Sequence, residues 1–204
     1  MDFLQYQFDT MGISFAVGLG CLILFQVIYY IVVYGVTAFY KGNKKENHEL
    51  PSVSVVMCVR DEAYNLEKRL PTILEQEYPN FEVVVVNDAS NDETEYVLRV
   101  LKEIYPNLNV VNLYKNVNKF LGKKYPLSLG IRSAKNDIIL LTEANTIPSS
   151  FNWISEMVKG FTDKKQIVLG FTAYETKKGF LNTLIHYENQ TTAMNYLGLA
   201  MLGN

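Results

Sequence analysis

Three short polar clusters end otherwise apolar runs. Arg60-Asp61-Glu62 follows residues 53–59, Asn87-Asp88 follows residues 81–86, and Thr142-Glu143-Ala144-Asn145 follows residues 138–141. If the runs are strands of one parallel sheet, all three clusters reach its carboxyl edge, where open α/β sheets bind ligands. Acidic groups gathered there repel a diphosphate unless a divalent cation lies between them, and oxygen donors suit Mg2+ or Mn2+. Other chemistries lack their parts. No Gly-x-Gly-x-x-Gly follows the first apolar run, and Gly122-Lys123 is no phosphate loop, because Val117 and Lys124 occupy two of its required positions. A Gly-x-Ser-x-Gly elbow is absent. Cys21 and Cys58 lie in separate apolar runs, and His48 and His186 are far apart, so neither a disulfide nor a zinc site is indicated.

The elements that must position these residues alternate. Residues 53–59 are β-branched and nearly all apolar, as suits a strand buried on both faces. Leu66, Leu70, Ile73 and Leu74 fall at helical spacing, and residues 81–86 read as a second strand. Ser90-Asn91-Asp92-Glu93 reads as a capping box opening a helix whose apolar stripe is Val97, Val100, Leu101 and Ile104. A third strand is expected over 110–113, a helix carrying Leu127, Ile131 and Ala134, and a fourth strand over 138–141. A helix with Ile154, Met157, Val158 and Phe161, a fifth strand over 167–173 and a last helix from Phe180 complete the pattern. The fold class is α/β, a mostly parallel sheet with helices on both faces.

Hydrophobic residues make up 49% of the 204 and charged residues 20%, which excludes a disordered chain. The net charge of −2 argues against a nucleic-acid partner. No charge falls between Asp9 and Lys41, whereas all 19 basic residues lie from Lys41 onward. Residues 13–40 are long enough to span a bilayer, and a cleaved signal would open on Lys or Arg instead of Asp2 and Asp9. Lys41, Lys44 and Lys45 follow the span directly, so the large domain is expected in the cytosol on a single-pass anchor. Tyr29, Tyr30, Tyr34 and Tyr40 gather near its inner end, and Gly12, Ala16 and Gly20 form a stripe of small residues that alone establishes no dimer. The expected division is an anchor over 1–40, a polar linker over 41–50 and one domain over 51–204.

The runs Val53 to Glu62, Val83 to Asp92 and Leu140 to Asn145, with Pro148 and Trp153 after them, resemble the opening of family 2 glycosyltransferases. The resemblance implies a GT-A nucleotide-diphospho-sugar transferase fold, Rossmann-like. It also implies inverting, metal-assisted transfer of a sugar from a nucleotide diphosphate donor, UDP-linked, to a hydroxyl acceptor on a lipid or polysaccharide at the cytoplasmic membrane face. Carried over by position, Glu62 and Asp88 hold the base and ribose, with Asp88 accepting from a uracil N–H. Glu143 faces the ribose and the metal, Asn145 ligates the metal, and Lys123 and Lys124 lie near the nucleotide.

Each position also has a plainer reading. Asp88 can cap the following helix, although its place at the end of a buried strand favours the site. Glu62 reads equally as a first-turn helix acid, and Lys123 and Lys124 are more often a solvated loop pair. Arg132 reads as a surface charge, Trp153 as core and His186 as structural. Asn145 stands where the family carries its second Asp, which removes a formal charge. The family's acceptor-side Asp and Gln-x-x-Arg-Trp element have no counterpart before Asn204, so the domain reads as incomplete at its C-terminus and no catalytic base is assigned. The competing function is a nucleotide-binding or scaffolding membrane protein without transferase activity.

Overall fold

A computed structural model describes residues 10–40, 50–114, 122–161 and 165–203. The basic cluster Lys41, Lys44 and Lys45 and the linker over 41–49 lie outside the described residues. The chain divides into two compact units, Asn43–Val168 and the pair Met1–Gly42 with Leu169–Asn204.

The first of these is built on four parallel strands, β1 (Val53–Val59), β2 (Phe81–Asp88), β3 (Leu108–Leu113) and β4 (Ile138–Leu141), in the order β3-β2-β1-β4. β1 is central and apolar except for Ser54, and only Cys58 along it is not fully buried. Its register pairs Val53 with Phe81 and Val59 with Asn87 on one side, and Val53 with Ile138 and Val56 with Leu141 on the other. Successive side chains alternate between faces. Val53, Val55, Met57 and Val59 join Leu66, Leu70, Ile73 and Leu74 of α2 (Ala63–Leu74) and Leu98 and Leu101 of α3 (Thr94–Ile104) in one core cluster. Ile154 and Val158 of a short α5 (Trp153–Val158) join the same cluster.

The opposite face receives α4 (Lys124–Ser133). Gly130 lets it approach: a Cβ there would stand 2.7 Å from Val56 Cγ1 and 2.9 Å from Val86 Cγ2. Ser54, Glu82 and Asn136 form a polar tie at the amino edge of this face. The buried Glu82 carboxylate accepts from Ser54 Oγ at 2.7 Å, from the Lys135 N–H at 2.6 Å and from Asn109 Nδ2. Asn136 donates from its backbone and its side chain to Ser54 Oγ.

Four expectations are corrected. The fifth strand does not form: residues 166–173 carry no ladder, and Ile167 and Leu169 stand exposed, with no strand beside them among the described residues. α3 buries Thr94, Leu98 and Leu101, while Val100 and Ile104 are exposed, so its inward face is rotated from the expected stripe. α4 buries Pro126 and Gly130 and leaves Ile131 exposed, because the close approach at Gly130 sets which face turns inward. The capping box is not made; Glu93 caps α3 without a side-chain hydrogen bond, and Asp92 Oδ1 takes the Thr94 N–H at 3.0 Å.

The other unit holds α1 (Thr10–Ala38) and α6 (Phe180–Leu202). Residues Gly12–Ala38 of α1 have a mean hydropathy of 2.3, long and apolar enough to cross a membrane. The two helices touch through Gly198, where a Cβ would run into the Val33 backbone carbonyl, and through Tyr29 Oη, which donates to Asn195 Oδ1 at 3.1 Å. Of the small-residue stripe, Gly20 has open space where a side chain would stand.

Candidate functional site

Because the four strands are parallel, their carboxyl ends share one edge, and the three polar clusters meet there. Pairing of β1 with β2 stops at Val59 and Asn87, so both chains turn away side by side. Each turn uses a non-glycine residue at positive φ, Asp61 at 55° and Ala89 at 51°, a conformation held only when surroundings enforce it. A ladder of side-chain bonds does so. The Asp61 N–H donates to Ser90 Oγ at 3.0 Å, and the Asn91 N–H returns a bond to Asp61 Oδ1 at 2.6 Å. The Glu62 N–H donates to Thr94 Oγ1 at 2.9 Å and the Ala63 N–H to Asp92 Oδ2 at 3.1 Å. Ser90 Oγ in turn donates to Asn87 Oδ1 at 2.6 Å. Burial pushes the Asp92 carboxyl up, but the bonds from Thr94 and Ala63 outweigh it and hold the group below the usual carboxylate range.

Glu62 starts α2 and its side chain makes no cap bond; Oε2 instead accepts from Asn65 Nδ2. Asp88 ends β2 and is buried, on the same sheet face as Cys58. The Cys58 thiol is pushed up to about 11 by burial and then by the Asp88 charge, with Lys123 acting in the opposite sense. Cys58 is therefore a neutral thiol at physiological pH, and no nucleophile.

β4 hands on to the third cluster. The Thr142 N–H donates to the Val56 carbonyl at 3.2 Å, carrying the chain past the end of the ladder before Glu143. The turn beyond is tied to α2, since Arg69 Nη1 donates to the Asn145 carbonyl. Glu143 and Asn145 are both exposed. Lys123, at the start of α4, sits 2.8 Å from Glu143 Oε1. That hydrogen bond holds its ammonium above the usual lysine range, against some desolvation, with the Glu143 and Glu62 charges adding to it. Lys124 is exposed on α4, and of the two lysines only Lys123 is ion-paired among the described residues.

The edge thus assembles Glu62, Asp88, Lys123, Glu143 and Asn145 on neighbouring turns. Sequence reading missed Arg69, Asn65 and Cys58, which act through position. Arg69 and Asn65 are half-buried at the border of an amphipathic helix's inward face, where a charge or amide carries no signal of its partner. Among the described residues no group of three His, Cys, Asp or Glu could hold a metal alone. Glu143 and Asn145 offer one carboxylate and one amide oxygen, which fits a hard cation only if it takes its remaining oxygens from a ligand and water.

Residues 54–201 match the family described as Glycosyl transferase family 2. A dolichyl-phosphate beta-glucosyltransferase of Trichomonas vaginalis is 35% identical over 124 residues, covering 53% of this chain and 37% of that protein. A poly-beta-1,6-N-acetyl-D-glucosamine synthase of Staphylococcus epidermidis is 27% identical over 104 residues, covering 51% and 24%. The fold is similar to that of the mannosyltransferase PcManGT from Pyrobaculum calidifontis, in complex with GDP-Man and Mn2+. The TM-score is 0.61 with 25% identity, over 74% of this chain and 44% of that one. The chain spans less than half the length of these relatives.

Proposed function

The chain belongs to glycosyl transferase family 2 and has a GT-A sheet, and we propose that its soluble unit binds the nucleotide-sugar donor of a membrane-anchored hexosyltransferase. The observation that carries the reading is the meeting of Asp88, Glu62, Glu143 and Lys123 at one sheet edge. Asp88 receives the imino N–H of the base and Glu62 the ribose. Glu143 and Asn145 supply oxygens to Mg2+ or Mn2+, which neutralises the diphosphate. Lys123 adds a positive charge on the same side, with Lys124 next to it. The acceptor is a lipid-linked or polysaccharide hydroxyl, a reading supported by what the curated relatives are named for.

A UDP titration by calorimetry tests this. Binding is expected to be tighter with Mn2+ than with EDTA. Glu143→Ala is expected to remove a charged contact, weakening the Mn2+-dependent part by about 10- to 100-fold. Equal UDP affinity with and without Mn2+ in both proteins would sink the metal role.

The anchor reading rests on α1, with 27 residues of high mean hydropathy. We place the catalytic unit in the cytosol because the Lys41, Lys44 and Lys45 cluster follows that helix and no Lys or Arg precedes it. Single cysteines introduced at Asp2 and at Asn43, in a Cys21→Ser and Cys58→Ser background, separate the two orientations. An impermeant maleimide added to intact cells is expected to label the first and spare the second; the reverse pattern refutes the orientation.

A further inference from the structure

Glu143 meets a cation even with no metal present, because Lys123 Nζ lies 2.8 Å from its Oε1. The pair is not a core element. The two side chains are 66% and 58% exposed, so either can leave without disturbing the sheet. The backbone behind Lys123 is nevertheless fixed. Gly122 turns the chain at φ 109°, and α4 is seated on Val56 and Val86 through Gly130. A long, exposed side chain therefore extends from an anchored helix start. On the other side the backbone that carries Glu143 is equally fixed, through the Thr142 bond to Val56 and the Arg69 bond to the Asn145 carbonyl. Asn145 adds no charge, so one carboxylate carries the negative charge of this turn.

We infer that Lys123 is a resident counter-ion that changes partners. It neutralises Glu143 in the ligand-free site, yields that carboxylate to the divalent cation, and turns its ammonium onto the diphosphate that arrives with it. The inference rests on the nucleotide-sugar reading of the site. One ion pair is thereby exchanged for two contacts, Glu143 to the cation and Lys123 to the diphosphate, with no covalent bond made or broken and no net proton moved. An exposed ion pair is weak, so the exchange takes little from metal affinity. A lysine also acts on phosphate as a point charge with rotatable donors, which lets it serve both partners. The empty site then presents less negative charge to an incoming diphosphate than the count of carboxylates suggests.

The swap makes two opposite demands on one residue, and Lys123→Gln in the full chain reads both. For MnCl2 alone, followed by the electron paramagnetic resonance signal of free Mn2+, the variant is expected to bind about two- to fivefold tighter, since nothing competes for Glu143. For UDP in EDTA, followed by calorimetry, it is expected to bind about tenfold or more weakly, since a charged donor to the diphosphate is gone. Lys123→Arg keeps a cation on both partners and is expected to restore most of the metal-free UDP affinity. A variant damaged in folding would lose both affinities together, so opposite signs are the signature. Mn2+ binding that is unchanged, weaker, or undetectable in both proteins overturns the swap. Metal-free UDP binding unaffected by Lys123→Gln overturns it as well. The Mn2+ arm needs no nucleotide. A wild-type chain that binds no nucleoside diphosphate, while the variant still gains Mn2+ affinity, therefore refutes the donor reading and leaves the competition for Glu143 standing.

Discussion

Asp88→Ala is expected to erase the base preference of the site and to weaken UDP binding by about one to two decades. The carboxylate ends β2, is buried, and shares a sheet face with Cys58 and the start of α4. A buried anion in that position selects a base edge that offers an imino N–H. Uracil has one at N3 and guanine one at N1, whereas adenine presents an unprotonated N1. UDP is therefore expected to bind best, GDP to be the nearer competitor and ADP the weakest. Losing a hydrogen bond to a charged acceptor costs about 1.5–3 kcal/mol, which converts to the stated loss in affinity. Asp88→Asn keeps the shape and one acceptor oxygen and should fall between. Calorimetry with the three diphosphates, beside melting curves of each variant, separates lost recognition from lost structure. Equal affinity of the native chain for UDP, GDP and ADP would remove Asp88 from base recognition.

The largest effect on stability is expected far from the site. Glu82→Ala should lower stability by about 3 kcal/mol, because three donors lose a buried charged acceptor at once. Those donors are Ser54 Oγ, Asn109 Nδ2 and the Lys135 N–H, and they come from β1, from β3 and from the turn leading into β4. Glu82→Gln should lose about half as much, since its amide keeps one acceptor oxygen but turns an NH2 toward donors. For a chain of this size, 3 kcal/mol corresponds to a melting temperature lower by roughly 6–12 °C. A thermal scan in detergent that finds Glu82→Ala within 1 °C of the native chain, as an order-of-magnitude threshold, would show that water replaces the carboxylate.

What could be read in advance followed from periodicity. β1 coincides with its apolar run, because a strand buried on both faces leaves a continuous β-branched signature; β4 coincides with its run too, although only Leu140 along it is buried. The three polar clusters were legible for the same reason: each interrupts such a run at its carboxyl end. Facing directions were less legible. α3 turns Leu98 inward and leaves Ile104 in solvent, and α4 is oriented by the absence of a side chain at Gly130, which a count of apolar residues cannot register. Residues 167–173 form a short apolar run like that of a strand, but a strand needs a neighbour, and pattern alone does not say whether one is there. Polar pairings over long separations were invisible. Glu82 sits just ahead of a run of valines, with nothing to mark Ser54, Asn109 and Lys135 as its partners. Glu143 was found as an acid at a strand end, while its ion pair with Lys123, 20 positions earlier, had no local sign.

The strand order β3-β2-β1-β4 also sets a timetable for the chain as it leaves the ribosome. β1 and β2 emerge first and zip together in register, and the ladder from Asp61 and Glu62 to Ser90, Asp92 and Thr94 closes as soon as α3 begins. β3 then adds on the outer side. The other flank of β1 waits, bare, for β4. At about 5–20 residues per second, the roughly 55 residues between Asp88 and Glu143 take on the order of 3–11 s to appear. Through that interval the nascent chain already carries Glu62 and Asp88 but has neither Glu143 nor Asn145. The exposed edge of β1, lined by valines, is the stretch that a chaperone or a pausing ribosome would have to shield.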